Sequence, residues 1–164
     1  MISNLGNFIE QKPLLIPGGS DLSGFLNLML NIMNHQSMTV SLPVLSTWAK
    51  LLKSDTTGQS DAFGPLVGSL LDICSRRLIK YESLPEDSDD PSLVFLLEDI
   101  DTMPERHSFV GIYRRYCVQV VETIVKRRPF DAMCHILERT SHSLKTLYDG
   151  QPSFRSKVST PRDT

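Results

Sequence analysis

The sequence has no long apolar run, which excludes an ordinary membrane-spanning helix. Its longest apolar patch, residues 25–33, is interrupted by Asn27 and Asn31. A bilayer requires roughly 20 consecutive apolar residues, so this patch is too short and too polar to span one. The first residues also lack the basic start and apolar stretch of a secretory signal. We therefore expect a soluble, intracellular chain.

Excess charge and cysteine are also scarce. The formal net charge is −2, which is too close to neutral to indicate a nucleic-acid binder by itself. The three cysteines, Cys74, Cys117 and Cys134, lie in separate apolar stretches. An odd number of cysteines without a disulfide-like spacing is typical of a reducing compartment. Hydrophobic residues make up 40% of the chain, enough to build a core.

The motifs of enzymes and metal proteins are missing as well. Asp99 and Asp101 are separated by one residue, as in some phosphoryl-transfer sites, but no Gly-rich phosphate loop or EF-hand spacing accompanies them. The four histidines match no zinc spacing, and no cysteine lies in a motif typical of an activated thiol. We therefore predict no catalytic residue, no metal site and no cofactor, and an enzyme is the least favoured hypothesis.

Helical periodicity is the feature that the sequence does show. Apolar residues recur three and four positions apart, which predicts helices at about 20–34, 39–54, 61–81, 104–127 and 129–148. Thr102 and Glu105 form a Thr-x-x-Glu capping box at the fourth start, and Ser41 is the expected cap of the second helix. The residues of the fifth helix predicted to face inward are Met133, Ile136, Leu137, Leu144 and Leu147.

An acidic segment interrupts this helical pattern. Residues 82–101 carry eight acids and no Lys or Arg, and Pro85 and Pro91 prevent a long helix there. The apolar residues 93–97 in its middle are expected to form one or two helical turns. We predict an acidic connection with a short docked helix.

The fold class that we predict is all-α, a segment of an α-solenoid built from HEAT-like helical repeats with about five or six helices. Residues 1–150 would form this segment, including the acidic connection at 82–101, and residues 151–164 a disordered tail. A compact helical bundle would show the same periodicity. The first residues are spaced like the end of a helix, as in a piece of a longer protein.

Three blocks of sequence carry a family resemblance. They are residues 35–45 with Trp48 after them, residues 77–86, and residues 98–116, which begin with Glu-Asp-Ile-Asp-Thr-Met-Pro-Glu-Arg-His. Together they resemble the middle of exportin-5-type karyopherins, of the fungal kind, in the importin-β superfamily. The resemblance covers about residues 20–150.

This resemblance implies a function in nuclear transport. Members of the superfamily are superhelices of HEAT repeats that bind cargo, a protein or a structured RNA, together with Ran-GTP. They contact nuclear pore proteins and shuttle between nucleus and cytoplasm, without a membrane anchor or small-molecule substrate. The leading hypothesis is a segment of a nuclear export receptor. The alternative is an α-helical scaffold or protein-interaction module without transport activity, including a truncated relic of a receptor.

Two sets of charged residues are the candidates for partner contact. A basic helix can contact RNA phosphates or acidic protein surfaces, and such contacts depend strongly on salt. The alternatives without a partner are that these charges lie on a solvated surface, that the arginines pair with neighbouring helices, and that the acidic loop caps the next helix. The candidates are Arg114, Arg115, Lys126, Arg127 and Arg128, and in the acidic connection Glu86, Asp87, Asp89 and Asp90.

Overall fold

The computed structural model describes residues 1–12, 20–78, 81, 84 and 88–146. Within these ranges the chain forms seven α-helices, one 3-10 helix and no strand, so the all-α prediction is confirmed. The helices are α1 (Ile2–Gln11), α2 (Leu22–Met33), α3 (Met38–Lys53), the 3-10 helix (Asp61–Leu66), α4 (Val67–Arg77), α5 (Pro91–Asp99), α6 (Met103–Arg127) and α7 (Pro129–Thr146).

The helix starts show which capping signals the sequence reveals. The predicted cap at Thr102 is confirmed, because its side chain accepts from the Glu105 backbone N–H. The Glu105 carboxylate accepts from the Thr102 hydroxyl at 2.7 Å, whereas in a full capping box it would accept from the Thr102 backbone N–H. The predicted start of α3 near residue 39 agrees with the structure, but the predicted cap is wrong, since Ser37 rather than Ser41 caps the helix. Pro43 consequently lies inside α3, where it removes one backbone hydrogen bond of the helix.

The third predicted helix is divided by a proline. Residues Asp61–Leu66 form a 3-10 helix that contains Pro65, and the α-helix begins only at Val67. Proline disfavours the α conformation in the residue before it, here Gly64, which accounts for this tighter first part. The expected docked helix of the acidic connection is α5, and it is longer than predicted, with nine residues. The predicted end of the third helix lies partly outside the described residues.

The chain divides into two compact units, Met1–Ala132 and Met133–Thr164. In the first unit α3 is the central helix, packed against α1, α2, α5 and α6, while α4 also packs on α6. Trp48 of α3 is fully buried and meets Phe63 edge to face with 5.7 Å between ring centroids. The largest fully buried side chains include Trp48, Tyr113, Phe63, Leu26, Met29 and Met33.

The described part of the second unit is the continuation of α7 from Met133 to Thr146. Its apolar residues Met133, Ile136, Leu137 and Leu144 are each at least half exposed, so the prediction that they face inward is wrong for them. Leu147, the fifth residue of that prediction, lies outside the described residues. Periodicity identifies an apolar face of a helix but not what covers it, which explains the difference.

Candidate interaction surface

The basic end of α6 combines one exposed cation with two that the fold uses. Lys126, Arg127 and Arg128 follow one another at the carboxyl end of the helix, where the helix dipole favours positive charge. The Lys126 side chain is 76% exposed and lies 3.7 Å from the Glu122 carboxylate. Arg127 forms an ion pair with Asp55 at 2.9 Å and donates to the Ser54 carbonyl. Arg127 is therefore tied to the loop that follows α3.

Arg128 is bound even more closely to the same part of the chain. Its side chain is only 11% exposed. The guanidinium donates to the carbonyls of Gly58, at 3.1 Å, and Ser60, and it pairs with Asp131 at 3.1 Å. It also lies over the Phe63 ring, 5.9 Å from the centroid. Arg127 and Arg128 together hold residues 54–60, which we call the 54–60 loop.

A cleft at this end of α6 gathers further positive charge. Lys126 and Arg127 line it with Lys53, which comes from the last turn of α3. The cleft measures about 350 Å³, and among the described residues that line it Glu122 is the one carboxylate, beside Gln119 and Thr123. We call it the basic cleft. The sequence separates Lys53 from Lys126 by more than seventy positions, so only the packing of α3 on α6 reveals the cluster.

The two arginines in the middle of α6 differ in exposure. Arg115 is exposed, whereas Arg114 is half-buried. Consecutive residues are about 100° apart around a helix, so their side chains normally meet different surroundings. Of this pair, Arg115 is the residue that is accessible to a partner.

The acidic candidates also divide between the fold and the surface. Asp89 is exposed. Asp90 caps α5, because its Oδ1 accepts from the backbone N–H groups of Ser92 at 2.9 Å and Leu93 at 3.1 Å. Glu86 and Asp87 lie outside the described residues. Among the described candidates in this segment, Asp89 is the one available for contact.

Asp99, the first acid of the Asp-x-Asp pair, fixes the start of α3. Its Oδ2 accepts from the hydroxyls of Thr39 at 2.5 Å and Ser37 at 2.8 Å. These two hydrogen bonds, that of Thr39 first, lower the pKa of Asp99. No group of three or more metal-ligating side chains occurs among the described residues. The acid thus serves to join α5 to α3.

Two further polar clusters are internal to the fold. Cys74 of α4 and Cys117 of α6 are fully buried, and a hydrogen bond between the thiols, together with burial, raises the pKa of Cys74 well above its usual value. The thiol form therefore prevails at neutral pH, which disfavours nucleophilic chemistry. Burial raises the pKa of Tyr113 to about 12, and its hydroxyl lies 2.9 Å from that of Ser41. Tyr113 is fully buried.

The structure also contains a polar pocket that sequence reasoning missed. It measures about 330 Å³, and Arg76 and Arg77 of α4 line it. Arg77 is only 7% exposed, which is unusual for a charged residue. The available signal was the Arg76-Arg77 pair at the end of an apolar helical stripe, a position that otherwise indicates favourable interaction with the helix dipole. We call this cavity the Arg77 pocket.

Comparison with known proteins identifies the family. The model of the Exportin-5 family matches residues 2–160. The chain belongs to the Exportin-5 family, which is a family of transport receptors rather than of enzymes. The resemblance seen in the three sequence blocks is confirmed, and the match extends beyond residues 20–150 at both ends.

One curated relative comes from Schizosaccharomyces pombe, where it is described as an uncharacterized protein. It is 28% identical over 148 residues, a stretch that covers 85% of this chain and 12% of the relative. The chain therefore spans about an eighth of the length of the relative that it matches. No solved structure matches the chain. Within the described residues, no helix is long and apolar enough to cross a membrane.

Proposed function

We propose that the chain acts as a segment of a nuclear export receptor, which binds a cargo protein or structured RNA together with Ran-GTP. The observation that carries this proposal is the Exportin-5 family match over residues 2–160. The proposed partners include nuclear pore proteins, which the receptor would contact as it shuttles between nucleus and cytoplasm. The all-α fold supports this role, because packed helices present side chains on a continuous surface.

The basic cleft supports partner recognition by charge. Lys53, Lys126 and Arg127 outnumber the two described carboxylates that pair with them, Glu122 and Asp55, so the summed charge of these side chains is positive. Acidic protein side chains and RNA phosphates are the groups that such a surface attracts. Because Lys126 is largely exposed, a partner group can reach it without displacing a buried contact. This attraction weakens as salt increases.

The candidate residues thus have two proposed roles. Arg115, Lys126 and Asp89 are accessible and would contact the partner directly. Arg127 and Arg128 would act mainly by holding the 54–60 loop beside the basic cleft. This division predicts that replacing an exposed residue weakens partner binding while the fold is retained. Replacing Arg128, in contrast, should lower the stability of the fold first.

The experiment that tests transport is acute removal of the protein from its own cells. Nuclear and cytoplasmic fractions are then compared for their proteins and structured RNAs, with re-expression of the unmodified protein as the control. We expect a defined set of molecules to accumulate in the nucleus and to return to the cytoplasm on re-expression. Unchanged distributions would favour the scaffold hypothesis, and accumulation in the cytoplasm would indicate an import receptor instead.

A further inference from the structure

The Arg77 side chain carries a buried positive charge, and its hydrogen bonds to described residues all go to neutral groups. Its Nη2 donates to the His35 carbonyl at 2.6 Å. Its Nη1 donates to the Gln36 carbonyl at 3.4 Å and to the Ser92 hydroxyl. Buried charges in proteins are ordinarily compensated by an opposite charge. The contacts with described residues orient this guanidinium but do not neutralise it.

The bonds that the guanidinium makes to described residues do not use all of its donors. An arginine carries five N–H groups, and the bonds to described residues use three of them. These bonds come from the segment between α2 and α3 and from the first turn of α5, so they hold the planar group in one orientation. A charged group that is fixed before binding loses little conformational entropy when a ligand arrives.

The surroundings of the pocket favour an anion. Arg76 lines the same cavity as Arg77, and it is exposed, which provides a second guanidinium at the pocket mouth. Asp90 is the one carboxylate of the described lining, and its Oδ1 already accepts two backbone N–H groups of α5. Among the remaining polar side chains of the described lining, those of Asn34, Gln36 and Tyr81 can donate hydrogen bonds. The Ser92 hydroxyl already donates to Gln36 Oε1 at 3.3 Å.

We propose that the Arg77 pocket binds an oxyanion, the carboxylate or phosphate group of a partner polypeptide. The planar fork of arginine matches both groups through paired, charge-assisted hydrogen bonds. At about 330 Å³ the pocket has room for such a group and part of the side chain that carries it. This inference goes beyond the proposed transport function, since it requires neither Ran nor nuclear export.

The test is an NMR titration of the purified chain at constant ionic strength. The probes are inorganic phosphate and N-acetylaspartate, and N-acetylasparagine serves as the neutral control. We expect saturable changes at the backbone amides of Arg76, Arg77 and Ser92 with at least one acidic probe. A response to phosphate alone identifies a phosphorylated partner group, whereas a response to both identifies any acidic side chain; either supports the proposal.

Arg76 is the residue whose replacement carries the test, because Arg77 also holds three structural hydrogen bonds. Arg76→Gln removes one charge-assisted contact, which we expect to weaken the apparent affinity about tenfold. Arg115→Gln is the matched control, since Arg115 is also an exposed helical arginine and does not line the pocket. Circular dichroism and the unperturbed amide spectrum verify that both variants retain the fold.

Three results would overturn the proposal. One is a response that does not saturate, and another is equal weakening in Arg76→Gln and Arg115→Gln, which would show general attraction to positive charge. The third is binding seen only after Glu82→Gln, Glu86→Gln and Asp87→Asn are combined, since the acids of the chain itself would then compete for the pocket. None of these results bears on Ran-GTP binding, so the transport proposal stands or falls separately.

Discussion

Replacing Arg128 by alanine separates a structural role from a partner-binding role at the basic end of α6. Arg128→Ala removes the donors to the Gly58 and Ser60 carbonyls and the contact with the Phe63 ring. Hydrogen bonds that involve a charged group contribute about 1.5–3 kcal/mol each. Water can replace part of this loss in a surface loop, so we expect the free energy of unfolding to fall by about 2–4 kcal/mol.

Lys126→Ala is the matched control for this prediction. Lys126 lies two residues before Arg128, carries the same charge and has a side chain that is 76% exposed. Its pair with Glu122 is solvent-screened, so its replacement should change stability by no more than about 0.5 kcal/mol. Urea unfolding followed by circular dichroism at 222 nm measures both variants. Equal destabilisation by the two substitutions would refute the assignment of Arg128 to the 54–60 loop.

Three further predictions concern the core and the contacts between helices. Tyr113→Phe should lower the free energy of unfolding by about 1 kcal/mol, because it leaves the buried Ser41 hydroxyl without its 2.9 Å partner. A double-mutant cycle with Ser41→Ala should show coupling between the two side chains, and strictly additive effects would contradict the contact. Leu51→Ala should lower the free energy of unfolding, measured in denaturant melts, by about 2–5 kcal/mol, since Leu51 is fully buried. The half-exposed Val40 should tolerate alanine, and similar losses of stability at both positions would contradict the packing. Asp99→Asn should lower the stability of the fold at neutral pH. Because folding lowers the pKa of Asp99, the stability that this carboxylate contributes is complete above its unfolded-state pKa and disappears as the pH falls through its folded-state pKa. Melts of the wild type and Asp99→Asn should therefore converge in acid, and a gap independent of pH would argue against the hydroxyl contacts of Asp99.

Most of the helical architecture could be predicted from the sequence because burial imposes the period of the helix on apolar residues. The predicted starts near Asp21 and Thr102 are correct, since a side-chain oxygen there has an evident backbone partner. The cap of α3 was harder to predict, because Ser37 and Ser41 are both competent caps. The Asp99 carboxylate, some sixty positions away, holds Ser37, and that contact is not visible in local sequence.

The candidate site shows the same limit more strongly. Sequence identified the charged residues but not which of them the fold would use. Arg128 and Asp90 are engaged by carbonyls and backbone amides, while Lys126 and Asp89 remain accessible. The basic cleft and the Arg77 pocket both arise where helices distant in sequence meet, and neither follows a local motif.

The central claim, a receptor that works with Ran, is tested most directly by its dependence on the nucleotide. The protein as its cells produce it is immobilised and incubated with purified Ran, loaded either with GDP or with a non-hydrolysable GTP analogue, with and without nuclear extract as a source of cargo. We predict that the GTP form is retained preferentially and that extract increases its retention, because cargo and Ran bind cooperatively in an export receptor. Equal retention of the two nucleotide forms would contradict the account and favour a scaffold that ignores the state of Ran.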